Sequence, residues 1–394
     1  MGGLLLAGVV VYALAGGRLF PTSPADGEAA FLTDYWRRPI PAQGDPPARF
    51  SALERSLRPE SCGVCHPAQW SDWKSSLHAK AMGPGVTGQL VEMRTSAPST
   101  AALCLTCHAP LAEQQPDGAA FDPALHREGL VCAACHVRNH QRFGPPRRDG
   151  SVDERADRTT LPHQGATRVR AFLRSEFCSP CHQFAPDGLA LNGKLLENTY
   201  EEWKTSPAAG QGLQCQDCHM PDRRHLWRGI HDPDTVHAGL DIALAADRSR
   251  YAVGDEVRAV LTITASRVGH YFPTYVTPRV VVRFALVDAS GQALAGLSQE
   301  HVIAREVTLD LSRELSDTRI PPGGQASFEY RRRLDRPGLH LRVTITVFPD
   351  HFYTGFFRSL LRAGAGRGEP AIREALDATL RSSFDIFDRT LPLT

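Results

Sequence analysis

Ser61-Cys62-Gly63-Val64-Cys65-His66-Pro67 holds two thiols three positions apart and an imidazole directly after the second. The same Cys-x-x-Cys-His spacing returns at Cys104-Cys107-His108, Cys132-Cys135-His136, Cys178-Cys181-His182 and Cys215-Cys218-His219, and the five copies use all ten cysteines. Two thiols so spaced can add across both vinyl groups of one porphyrin, and the histidine that follows then ligates the iron from the proximal side, which makes this the attachment signature of c-type haem. Zinc ribbons and a thioredoxin-like dithiol also use Cys-x-x-Cys pairs. Neither needs a histidine after every pair. The sequence therefore predicts five covalent haem c groups, with no sulfur left for a structural disulfide.

At 394 residues the chain can hold two or three domains, and its composition is that of a globular protein. The formal charge of +1 moves by about −5 when five ferric haems bring their propionates. No basic patch for nucleic acid is implied. Of 44 basic residues only Lys74, Lys80, Lys194 and Lys204 are lysines; arginine is the better fork for propionates, although a base bias of the genome gives the same excess.

Gly2 to Ala15 is apolar, and the first charge after it is Arg18. Residues 1–20 read as an export segment: somewhat short of the ~20 residues that span a bilayer, with Ala13-Leu14-Ala15 shaped like a signal-peptidase site but no basic start. A cleaved signal and a retained anchor in the inner membrane both remain open. Either places the rest outside the cytoplasm, in the periplasm, anchored facing it, or extracellular. No cysteine precedes Cys62, which excludes a lipid on an N-terminal cysteine.

Residues 21–59, rich in Pro, Gly, Ala and Arg, read as a linker. Residues 60–239 carry the five motifs, with 42, 28, 46 and 37 residues between successive first cysteines. So little chain per haem cannot build separate cores, so the porphyrins must supply much of the buried apolar surface beneath short helices and loops. A weak internal echo, Trp73-Lys74-Ser75-Ser76 against Trp203-Lys204-Thr205-Ser206, points to repetition; where the first copy continues to His78, the second has no histidine. Residues 240–350 change character. Asp241–Ala245, Glu256–Ala265, Arg279–Val287, His301–Leu309, Ala326–Leu334 and Leu339–Val347 alternate or are β-branched between turn signals, predicting an antiparallel β-sandwich of immunoglobulin size. Residues 351–394 read as one or two helices packing back onto the body. The predicted fold is thus a mainly helical, loop-rich multihaem domain followed by an immunoglobulin-like sandwich and C-terminal helices.

Eleven histidines remain after the five proximal ones, enough to give every iron a second imidazole, the choice expected for pure electron transfer. The candidates are His78, His140, with His126 as its competitor, His163, His225 and His231. His270 and His351, in loops of the β-rich part, are held in reserve, while His301 and His340 have no assigned role. A lone histidine is more often a surface or hydrogen-bonded residue, and only the demand of five irons raises these.

Ser61 to Pro67 followed by Trp73-x-x-Ser76-x-His78-Ala79 resembles the first haem segment of multihaem cytochromes of the cytochrome c554 and hydroxylamine oxidoreductase-like superfamily. Gly212-Leu213-Gln214-Cys215-Gln216-Asp217-Cys218-His219-Met220-Pro221 resembles a later one, and Gly269 to Thr274 resembles the C-terminal β-domain of some members. The resemblance covers about residues 60 to 280 and implies an extracytoplasmic chain of haems in parallel and perpendicular pairs. Its catalytic members differ: pentahaem nitrite reductases have lysine for one motif histidine, and all five motifs here end in histidine. Hydroxylamine oxidoreductases carry more haems and a cross-linked tyrosine that maps to no residue here.

The expected function is an electron relay between a membrane or periplasmic donor and a redox enzyme or terminal acceptor, with redox proteins as partners and no catalytic residue assigned. Two alternatives stay open. One is a multihaem oxidoreductase acting on a small nitrogen or sulfur compound at one open haem; the other is a subunit of a homo-oligomer or extracellular filament. The β-domain is read as a docking or stabilising module.

Overall fold

The computed structural model of the protein describes residues 24–152 and 160–393. The export segment at 1–20 lies outside the described residues. Among those described, no helix is long and apolar enough to cross a membrane. The chain forms two units, Met1–Arg37 and Arg38–Thr394. The stretch 21–59 is more than a linker, because Pro24–Tyr35 and Ala52–Arg55 are helical. Ser51 caps the second helix reciprocally with Glu54, satisfying N–H groups at its start. Proline, which suggests irregular chain by composition, here opens a helix where its missing N–H costs nothing.

The haem-motif segment is built of short helices. Each motif sits on one or at its end: Pro59–Gly63, Pro98–His108, Cys132–His136, Ser179–His182 and Cys215–His219. Two further helices matter below: α1 (Pro67–Ser75) and α2 (Thr199–Lys204), which carry the two copies of the internal echo. In both, the tryptophan is buried and its indole N–H donates to a distant carbonyl, Trp73 to Leu130 at 2.8 Å and Trp203 to Leu213 at 2.9 Å. The echo is therefore a structural repeat.

The β-rich part contains β1 (Asp241–Ala246), β2 (Glu256–Thr264), β3 (Arg279–Val287), β4 (Ala293–Ile303), β5 (Arg305–Val307), β6 (Glu314–Asp317), β7 (Gln325–Arg333), β8 (His340–Phe348) and β9 (Phe384–Pro392). One sheet has the order β7-β2-β1 and the other β9-β8-β3-β4, while β5 and β6 form a side hairpin. All pairs in these sheets are antiparallel. Alternate residues of both sheets, such as Leu261 and Ile263 on β2 and Leu341, Val343, Ile345 and Val347 on β8, enter one shared core. That period of two is what the sequence displayed. Ile345→Ala is expected to cost about 2–5 kcal/mol, read as a lower denaturant midpoint; Arg389→Ala at the exposed edge should change little.

The C-terminal reading needs one correction. Helices α3 (His351–Ala363) and α4 (Glu369–Leu380) are present, but the chain ends in β9, which pairs along β8 from His340↔Pro392 to Val347↔Phe384. Two acids and an arginine break the apolar pattern of this strand, and its partner lies far back in the chain. The reading of His301–Leu309 as one strand is also replaced, by the end of β4 and the separate β5. Helix α4 packs on Pro84–Ser96 just past Gly368, where an added Cβ would collide with the Gly88 carbonyl oxygen. Only glycine allows this approach.

Candidate haem centre

Two imidazoles that reach one metal from opposite sides, each about 2.0 Å away with about 1.15 Å more to the ring centre, have centres roughly 6.3 Å apart. Three histidine pairs stand at this spacing. His78 and His182 are 6.3 Å apart, His136 and His225 6.2 Å, and His219 and His270 6.2 Å with the rings 9° from parallel. Each pair joins one motif histidine to one from elsewhere in the chain.

The free nitrogens agree with the spacing. His136 Nδ1–H donates to the Phe143 carbonyl (2.8 Å), His219 Nδ1–H to Arg228 (2.6 Å), His225 Nδ1–H to Arg223 (3.1 Å) and His270 Nδ1–H to Tyr271 (2.9 Å). His182 Nδ1–H donates to the Tyr275 hydroxyl (2.9 Å). The four bonds to carbonyls fix the tautomer and leave Nε2 as the ligand atom, and the Tyr275 hydroxyl, able to accept, is compatible with the same tautomer at His182. Burial holds the rings neutral, lowering His78 to about 3 and His136 and His182 to about 4. Trp227 meets both His78 (4.6 Å) and His225 (5.2 Å) edge-on, wedging the two rings.

The cysteines fit a covalent macrocycle better than a bare ion. All ten are free thiols, and among the described residues no group of three or more His, Cys, Asp or Glu side chains is gathered to hold a metal. Each iron would instead take two protein nitrogens and a porphyrin. Val64, Leu77, Leu103 and Leu213 are exposed beside motif cysteines or His78. At 40–65% exposure each forfeits about half of the ~1.5–3 kcal/mol of full burial, which a covering macrocycle would recover.

Thiols of different motifs adjoin. Cys62 is within hydrogen-bond reach of Cys132, Cys107 of Cys181, and Cys178 of Cys215, and the charge of Cys135 is felt at Cys178 and Cys181. The fourth motif thus neighbours the second, third and fifth, and the first neighbours the third.

The other expected ligands stand elsewhere. His140, four residues past its motif, spends Nε2 on the Gly44 carbonyl (2.9 Å) and lies edge-on to Phe50. His231 Nε2 bonds the Asp350 carboxylate (3.0 Å). His126 is tied by Nδ1 to the Gln114 carbonyl (2.6 Å) against Phe121, and His351 faces the Arg279 guanidinium. His163, at φ 40° and bonded to the Gly165 carbonyl, lies in the electrostatic field of His66. Among the described residues no histidine ring is stacked opposite His66 or His108 at the paired spacing. His108 is itself anchored, its Nδ1–H donating to the Ala81 carbonyl (2.6 Å).

Behind His182 lies a group the sequence did not suggest. Tyr275, at φ 65°, shares hydrogen bonds with Thr199 and Glu197, and burial pushes the Glu197 carboxyl up to about 8. A carboxyl raised above its ordinary 4.5 binds its proton more tightly in the folded state, so its contribution to stability is full below about 4.5 and is lost as pH rises to about 8. Glu197→Gln is expected to flatten the decline in unfolding midpoint over that window, measured by denaturation at stepped pH.

The family described as "Cytochrome c554 and c-prime" matches residues 61–137, which hold the first three motifs. Cytochrome c-554 of Nitrosomonas europaea is 28% identical over 130 residues, 31% of this chain. The chain spans about half of that relative, 55% of its length. The fold is similar to the crystal structure of a penta-haem cytochrome c552 from Thermochromatium tepidum, with a TM-score of 0.62 and 19% identity over 87% of this chain and 100% of that one. The chain is thus similar to multihaem c-type cytochromes, in sequence over its first three motifs and in fold over most of its length. The family match falls on the segment that carries the first three Cys-x-x-Cys-His motifs.

Proposed function

We propose that the protein carries five haem c groups and relays electrons among them, between a membrane or periplasmic donor and a redox enzyme or terminal acceptor. The observation that carries this reading is the set of three imidazole pairs at 6.2–6.3 Å. His78 and His182 would hold one iron, His136 and His225 a second, His219 and His270 a third. His163 is the remaining histidine nearest in field to His66. Haem c supplies a one-electron carrier at each site. The chain's own part is to close irons with imidazoles that resist exchange, and to set cysteines of different motifs side by side. Electrons then follow the order of adjoining thiols, first to third to fourth, with branches from the fourth to the second and to the fifth.

One observation favours a second reading: among the described residues no histidine ring stands opposite His108 at the paired spacing, and the same holds for His66. An iron held there with an open face would admit a small nitrogen or sulfur compound. Export to the periplasm accords with the motifs, as thioether attachment occurs outside the cytoplasm, and the strand orders β7-β2-β1 and β9-β8-β3-β4 accord with an immunoglobulin-like sandwich. Membrane anchoring by residues 1–20, redox-protein partners and assembly into a homo-oligomer or filament belong to the same proposal. The test is spectroscopic. His78→Ala, His225→Ala and His270→Ala are each expected to convert one haem from low-spin to high-spin ferric and to add one carbon monoxide site, while His140→Ala and His231→Ala change neither. Wild type binding carbon monoxide at one haem supports the second reading; binding at none removes it.

A further inference from the structure

The two echo helices share more than tryptophan. The residue before each tryptophan is an acid, Asp72 on α1 and Glu202 on α2, and each is only 6% exposed. A buried carboxylate must be fully bonded or it destabilises the fold, and both are. Asp72 accepts from Arg224 Nε and Nη2, both at 2.7 Å, in a two-pronged ion pair, and from the backbone N–H of His225 at 3.0 Å. Glu202 accepts from Arg319 Nη1 at 2.9 Å, from the Thr274 hydroxyl at 3.2 Å and from the backbone N–H of Tyr271 at 3.1 Å.

The backbone groups they seize are telling. Asp72 grips His225 itself, whose ring stands opposite His136. Glu202 grips the residue directly after His270, whose ring stands opposite His219. In each repeat, then, one buried acid on the tryptophan helix fixes the loop that delivers a second imidazole. Neither carboxylate touches either ring. The His225 loop has no ladder of its own: residues 224–231 contain no helix or strand, and Trp227 within it takes a positive φ of 43°; the His270 loop has a single bridge, Phe272 to Ile320.

We infer that Asp72 and Glu202 are positioning residues for distal histidines, each acting through a main-chain hydrogen bond to hold His225 and His270 at ligand distance. This rests on the ligand pairs proposed above. It also explains how α1 serves two sites. The helix is followed at once by His78, which faces His182, while its Asp72 sets His225 against His136. A duplicated helix has kept its acid in both copies and its histidine in one.

The experiment uses the full-length holoprotein, with haem content checked by mass. Asp72→Asn keeps the volume but loses the charge that holds Arg224, and Glu202→Gln does the same at the second site. Each is expected to give about one haem's worth of high-spin ferric signal and partial carbon monoxide binding at that haem. Asp72→Glu, which installs the acid of the other copy, is expected to restore the low-spin spectrum, a rescue that a merely space-filling role would not require. If Asp72→Asn and Glu202→Gln keep fully low-spin spectra while His225→Ala and His270→Ala do not, the positioning role is overturned and the ligand pairs stand. If the histidine variants also leave every haem low-spin, the ligand pairs themselves fail. Should Asp72→Asn yield no holoprotein, Arg224→Gln, which removes the same ion pair from its exposed end, and Glu202→Gln decide by the same criteria.

Discussion

Replacing both thiols of the fourth motif, Cys178→Ala with Cys181→Ala, is expected to give a protein one haem lighter in which the remaining sites no longer exchange electrons as one system. Cys178 adjoins Cys215, Cys181 adjoins Cys107, and Cys135 lies within electrostatic reach of both. The fourth site is thus the junction of the second, third and fifth. Reduction of the wild type by a one-electron donor is expected to run as one coordinated course, and loss of the fourth site should split it into separate phases, seen by stopped-flow absorbance in the haem bands. The same double replacement at Cys215 and Cys218 removes an end of the chain and should lower the mass equally while leaving the other four sites connected. Equal kinetics in the two variants would refute the junction. The fourth-site variant should also unfold earlier, because the half-buried His78 keeps its Nδ1 out of water without a partner, and an imidazole pair without its iron leaves polar atoms unsatisfied.

The attachment motifs can be read in the sequence because they are local: a thiol pair and an imidazole within five residues need no tertiary structure to be recognised. Strands such as Arg279–Val287 were legible for the same reason, since a half-buried strand alternates every second residue. The second ligands were not local. His140 is nearest its motif in sequence, yet its Nε2 goes to Gly44, while His270, from the loop between β2 and β3, lies opposite His219. Which imidazole meets which is decided by loops closing over distances that no spacing rule covers. One signal was present and unread. The acid before each tryptophan, Asp72 and Glu202, repeats with the echo, and a buried acid repeated with its tryptophan marks something that must be held.

Arg319→Ala is expected to cost about 3–5 kcal/mol, since removing one partner of a buried pair leaves an uncompensated charge. The Arg319 side chain is 4% exposed; it gives Nη1 to Glu202 at 2.9 Å and Nε and Nη2 to Asp317 at 2.9 and 3.0 Å, and it lies over the Tyr271 ring at 4.8 Å. Glu202 belongs to the haem-motif segment and Arg319 to the β-rich part, so the cost falls on the seam between them. Arg336→Ala, which breaks an exposed pair with Asp335, is the control and should cost about 0–1 kcal/mol. Both are read from denaturant midpoints of the holoprotein, with the spin state followed alongside. Since Glu202 also holds the Tyr271 N–H, the Arg319 variant should disturb the haem of His219 before any other. A seam variant that lost stability with every haem untouched would make the β-rich part a brace alone. One that changed that haem first would make it a working part of the redox centre, because the imidazole opposite His219 is drawn from it.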